Sequence, residues 1–199
     1  FGNLKSIIIP NSVTVIEEYA FSNCSSLTSI SLPKNLLAIE ELAFAFCSSL
    51  ESLEIPNNVT VLRKGVFSNC SSLTSISLPK NLLTIEELAF AYCSSLESLE
   101  IPNSCTFIDD NQFTNCTCLK SVSLPKNLLR IKAYTFIQCN NLTKITIPDN
   151  VRIIENGAFY ICMNLKAVIF GSNVSYVGSS FFVDCPELSI FIVPQKNKY

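Results

Sequence analysis

Cys24, Cys47, Cys70, Cys93, Cys116, Cys139, Cys162 and Cys185 stand 23 positions apart, and each follows a phenylalanine by three residues, from Phe21 to Phe182. Leucine keeps the same step from Leu4 through Leu27 and Leu50 to Leu188. Proline keeps it from Pro10 to Pro148, yields to Gly171 and resumes at Pro194. Three residue types locked to one period describe a chain of like units, each too short to bury an apolar face alone, so neighbouring units have to stack. Within a unit, Ile30 and Leu32 alternate with Ser29 and Ser31, which predicts a short strand with apolar residues inward and small polar ones outward. Pro33 ends that strand because it has no amide hydrogen for a ladder bond. The stretch 40–44 is rich in helix formers and predicts one helical or 3-10 turn on the opposite side. Coils stacked about 4.8 Å apart with parallel strands put eight full coils and a partial ninth into one continuous domain over 1–199. No Gly/Ser run, charge block or composition shift divides it.

Composition bounds what such a stack can do. Apolar residues make up 48% and charged ones 15%, enough to bury a core. A net charge of -2 and the lack of any Lys/Arg cluster argue against nucleic acid as a partner. The apolar runs are strand-sized, far short of the roughly 20 residues of a membrane-spanning helix. The chain opens at Phe1 with neither Met nor a signal-like segment, and it reads as a piece of a longer protein.

Several columns look chemical, and each has a structural explanation. Without histidine or a C-x-x-C pair, zinc and other metals are not expected. Cysteines stacked with parallel Cβ vectors are poorly placed for disulfides, so a ladder of buried free thiols acting as small hydrophobes is expected. Cys105 occupies the place of Val13, Val59 and Val151 and belongs with the core, whereas Cys118 replaces Ser26, Ser49, Ser72 and Ser95 and is the candidate exposed thiol. The asparagine column (Asn35, Asn58, Asn81, Asn127, Asn150 and Asn173) is expected to be buried, bonding backbone groups of the turn and the next coil. Among the Asn-x-Ser/Thr sequons, Asn58 and Asn173 fall in that column, which leaves Asn23, Asn69, Asn115 and Asn141 at turns as the better glycosylation candidates. Absence of histidine removes the usual general base, and no Gly-rich phosphate loop exists among five glycines. Carboxylates repeat with the coils instead of converging, so neither an enzyme nor a cofactor site is expected.

The outward strand positions form a face available to partners. They comprise Ser29 and Ser31, Ser52 and Glu54, Ser75 and Ser77, Ser98 and Glu100, Ser121 and Ser123, then Lys144 and Thr146. Lys34, Lys80 and Lys126 follow the proline on alternate coils, and Glu51 and Glu97 add charge on the coils between. A second period of 46 underlies this order, since 23–58 and 69–104 differ at three of 36 positions. Toward the end the outward residues become apolar, with Ile169, Ile190 and Ile192. That patch is expected to bind a partner or a further domain, or to support self-association through uncapped terminal coils.

The Leu-Pro strand ending and the Ala-Phe-x-x-Cys segment, as in 27–33 and 43–50, resemble the BspA-like subfamily of leucine-rich repeats over almost the whole chain. Cys105, Gly171 and Val66 depart from its pattern. The resemblance implies a leucine-rich-repeat solenoid with short parallel strands on the concave face and brief helical or 3-10 turns on the other side. It also implies a cell-surface or secreted protein of mucosa-associated bacteria or protist parasites, adhering to host cells or to matrix proteins such as fibronectin. A spacer that only projects another domain is the alternative reading, and an intracellular scaffold a third.

Overall fold

The computed structural model describes residues 3–193, so Pro194 lies outside the described residues. The chain winds into a stack in which every coil repeats the same corners and strands. Nine three-residue strands, from Ser6–Ile8 to Ile190–Ile192, line one face, and eight two-residue strands, from Val15–Ile16 to Tyr176–Val177, line a neighbouring flank. Neighbours pair in parallel at a register of one repeat, as Ser6 with Ser29 and Val15 with Ala38. Each corner is a hydrogen-bonded turn. The Leu36 amide donates to the Pro33 carbonyl at 3.0 Å, and the Leu50 amide to that of Cys47 at 3.1 Å, with equivalents along the stack.

No helix forms among the described residues, which corrects the helical or 3-10 turn expected over 40–44. Hydrogen bonding gives the reason. An α-helix needs each amide to donate four residues back within its own segment. Here the amides of Leu42, Phe44 and Phe46 donate instead to Lys64, Val66 and Ser68 of the next coil at 3.0, 3.0 and 2.8 Å. Only Ala43, Ala45 and Cys47 donate within the coil, three residues back. Left-handed residues at Leu42 (φ 55°) and Phe46 (φ 61°) turn the backbone so that this alternation persists. In other coils the same two positions hold Gly65, Gly157, Asn23, Asn69 and Asn115, residue types suited to positive φ. Ile161 (φ 58°) is the least suited, being β-branched. Ile161→Asn is expected to raise stability by about 1 kcal/mol, read as a shift in urea midpoint at unchanged slope.

The core is built of stacked columns, one residue from each coil. Phe44, Phe67, Phe90, Phe113, Phe136 and Phe159 are fully buried, and successive rings from Phe21 to Phe182 stack with centroids 5.2 to 5.9 Å apart. That spacing exceeds the about 4.8 Å of adjacent strands. The backbones behind the rings nevertheless stay hydrogen-bonded from coil to coil, as Phe44 N to Val66 O at 3.0 Å, and the row of three-residue strands is the face expected to be concave.

The cysteine column is buried and unpaired, yet these thiols are more than small hydrophobes. From Cys47 to Cys185 each donates to the phenylalanine carbonyl of the preceding coil, as Cys70 Sγ to Phe44 O at 3.1 Å and Cys93 Sγ to Phe67 O at 3.2 Å. The same carbonyl accepts the Cys47 or Cys70 amide of its own coil, so both of its lone pairs are used. A thiol fills apolar volume and still completes this bond. The asparagine column, by contrast, is exposed and not buried as expected. Its side chains lie over the coil surface, where Asn150 Nδ2 donates to Lys126 O and Asn173 Nδ2 to Asp149 O, both at 2.9 Å. Burial therefore does not separate Asn58 and Asn173 from the other sequons.

Candidate functional site

On the concave face, side chains from many coils converge. Its strands are not uniformly joined. Regular pairing links Ser52–Glu54 to Ser75–Ser77 and Ser98–Glu100 to Ser121–Ser123, while the junctions between these pairs lack a continuous ladder. Burial follows the same two-coil rhythm. Leu53 and Leu99 are buried at mid-strand, but Ile30, Ile76 and Val122 are only half-buried, as are Leu32 and Leu78 beside the first two.

Every second coil thus exposes part of an apolar floor, and three shallow depressions open there. One of about 780 Å³ lies over Ile30 and Leu32, rimmed by Ser31, Lys34, Glu54, Ser77 and Lys80. The next, about 620 Å³, lies over Leu53, Ile76 and Leu78 and is rimmed by Ser52, Ser75, Glu100 and Pro102. A third of about 680 Å³ lies over Val122 and Leu124, with Ser98, Ser121, Ser123, Lys126, Lys144 and Thr146 around it. Because Glu54, Ser77 and Lys80 border the first two and Glu100 the last two, the depressions form one track along the face. Small hydroxyls over an apolar floor, with lysine and glutamate alternating at the edges, can receive a chain presenting both apolar and charged groups.

Not every sequence-selected residue joins this track. Ser29, Glu51 and Glu97 are exposed beside it, and Glu97 is held by Lys120 at 2.9 Å. Ile169 is half-buried between neighbouring strands. Ile190 and Ile192 are exposed on the last strand, near a separate apolar hollow of about 440 Å³ lined by Phe170, Val174, Val177, Phe181 and Phe191. The half-exposed floor residues escaped sequence reading, although the switch from Leu53 and Leu99 to Ile30 and Ile76 marks them.

Thiol chemistry does not gather here. Burial pushes Cys47 up to about 12 and Cys105 up to about 11, and holds Cys70, Cys93 and Cys116 well above the ordinary value. Maleimide at neutral pH is expected to label Cys118 and Cys185, the two incompletely buried cysteines, with the other eight reacting only after denaturation. Mass spectrometry of the labelled chain checks this. Among the described residues no group of three or more His, Cys, Asp or Glu side chains is placed to hold a metal ion. None contains a helix long and apolar enough to cross a membrane.

The family profile for the BspA type leucine rich repeat region matches in six copies, over 1–118 and 84–199. Among solved structures, a leucine-rich repeat protein from Bacteroides ovatus is 26% identical with a TM-score of 0.78, over 96% of this chain and 56% of that one. One from Eubacterium ventriosum is 28% identical with a TM-score of 0.72, over 78% of this chain and 42% of that one. The pneumococcal vaccine antigen PcpA is 25% identical with a TM-score of 0.71, over 96% of this chain and 51% of that one. The chain therefore spans about half the length of these relatives. No curated protein matches it.

Proposed function

Because the chain belongs to the BspA-type leucine-rich-repeat family, we propose that it is a protein-binding module that reads its partner along the concave face. Leucine-rich-repeat proteins are in general interaction modules and typically non-enzymatic. The observation carrying the assignment to this face is the continuous track of three depressions, with an apolar floor, hydroxyl rims and alternating lysine and glutamate. A surface or secreted location, with host-cell or extracellular-matrix proteins as ligands, is the specific form of the proposal. It draws support from the family and from a relative that is a vaccine antigen.

The test is direct binding of the purified module to immobilised matrix proteins. Reversing Lys34, Lys80 and Lys126 to glutamate is expected to lower affinity by about 10- to 100-fold, with slower association and a weaker salt dependence. All three are exposed, so stability should stay within about 0.5 kcal/mol. Unchanged binding by the triple variant sinks the assignment to this face, and failure to bind any matrix protein sinks the adhesive reading.

A further inference from the structure

The flank carrying the two-residue strands has an outer row of apolar side chains that the core does not use. Leu37, Leu83 and Leu129 stand 46 residues apart and are 56%, 49% and 59% exposed, while their neighbours Leu36, Leu82 and Leu128 are buried. Phe107 and Tyr176, in the adjacent column, stand beside the row at 44% and 56% exposure. A row of large exposed apolar groups along one side of a rod marks a contact surface more than a scatter of single residues does.

The charges beside this row add a second pattern. Two to four residues further along each coil stand Glu40, Arg63 and Lys64, Glu86 and Glu87, Asp109 and Asp110, and Lys132. Inside the chain they form a ladder, including Arg63 to Glu86 at 2.9 Å, Lys64 to Glu87 at 2.9 Å and Lys132 to Asp110 at 3.6 Å. They are also arranged symmetrically in opposite sign. One coil to either side of Glu86 lie Arg63 and Asp109, two coils to either side lie Glu40 and Lys132, and Lys64 and Asp110 flank Glu87 in the same way. Leu37 and Leu129 are equally distant from Leu83. A two-fold axis lying in the contact plane and crossing the rod at Leu83 sets each coil against its counterpart on the other side, column facing column.

We propose that this flank is the interface of an antiparallel homodimer, with Leu83 packing on its own copy, Leu37 on Leu129, and Arg63 and Lys64 meeting Asp109 and Asp110. The axis position follows from the residues. One coil toward the N-terminus it sets Glu40 against Glu86, and one coil toward the C-terminus it leaves Leu37 against Ser175. The glutamates that meet at the axis are already neutralised by Arg63 and Lys64 of their own chains. Three like-charge matches remain, Glu86 and Glu87 each on its own copy at the axis and Glu17 against Glu155 at the rim, where Arg130 holds Glu155 at 2.9 Å, while Glu18 and Glu41 face Asn156 and Ala133. This arrangement turns both concave faces to the same side, so the dimer binds a repetitive partner bivalently, while the interface itself does not depend on what the concave face reads.

Site-directed cross-linking tests it in a Cys118→Ser, Cys185→Ser background with oxidised glutathione. Leu83→Cys should cross-link to itself, being on the axis. Thr60→Cys and Thr106→Cys, one coil to either side, should stay uncrosslinked alone and join only when mixed. In sedimentation equilibrium the unaltered chain should be dimeric, and Leu83→Glu should raise the dissociation constant on the order of a hundredfold with an unchanged circular-dichroism spectrum. A monomer throughout, no self-linking of Leu83→Cys, self-linking of Thr60→Cys, or Leu83→Cys joining only to Leu129→Cys overturns the proposal.

Discussion

Phe90→Ala is expected to cost about 3 to 5 kcal/mol, enough to consume most of the stability of a domain that has about 5 to 15 kcal/mol in all. Phe90 is fully buried at mid-stack, with the Phe67 ring 5.8 Å away on one side and Phe113 5.9 Å on the other. Removing it leaves a cavity shared by two coil junctions at once. In a solenoid each coil is held only by its neighbours, so weakening two adjacent junctions separates the array into halves that melt independently. Urea unfolding followed by circular dichroism should therefore shift to lower midpoint and broaden or divide. Position in the stack supplies the control. Phe21 is half-buried and meets Phe44 on one side, and Phe21→Ala should cost about 1 to 2 kcal/mol, well below the mid-stack value. Equal losses at both positions would mean that the ring column is not what couples the coils.

This dependence on neighbours also explains which features were legible in the sequence. Phe90 and Cys93 repeat because every coil solves the same packing problem, so period alone placed them in the core. The turn around Leu42, just before Phe46, was misread for the opposite reason. Helix propensity describes a segment that satisfies its own amides, and here half of those amides are satisfied by the next coil. The glycines and asparagines that share their columns carried the signal, as positive-φ residues spaced four apart. Asn150 and Asn173 were correctly read as backbone partners but misplaced in depth, since a side chain bridging two coils does so as well from outside as from within. On the concave face, the outward serines and lysines were legible from strand alternation. The half-exposed Ile30 and Ile76 were not, because their depth depends on how two coils meet, which no single coil encodes. Leu37 was passed over as one of a Leu-Leu pair, and only its exposure distinguishes it from the buried Leu36.

Alkaline pH should unfold this chain within a narrow window. Burial holds Cys47 at about 12 and Cys105 at about 11, against an ordinary thiol value of 9, and pushes Cys70, Cys93, Cys116 and Cys139 upward as well. For an acid whose folded value is raised, the stabilising contribution is whole below the unfolded value. It is lost as pH climbs from 9 toward the folded value, because in that interval only the unfolded chain ionises. Each such thiol then costs about 1.4 kcal/mol per pH unit. Six acting together remove on the order of 8 kcal/mol by about pH 10, comparable with the whole stability of a domain. Loss of the β signal and the rise of thiolate absorbance should coincide, since exposure and ionisation are one event. Cys105→Val isolates a single thiol, because valine fills the same place at Val13, Val59 and Val151. That variant should move the alkaline midpoint upward and lower the pH slope by about 1.4 kcal/mol per unit. In a chain with Cys118 and Cys185 changed to serine, a thiolate signal appearing before the β signal falls would show instead that the buried cysteines ionise in place, and the linkage between burial and alkaline stability would then fail.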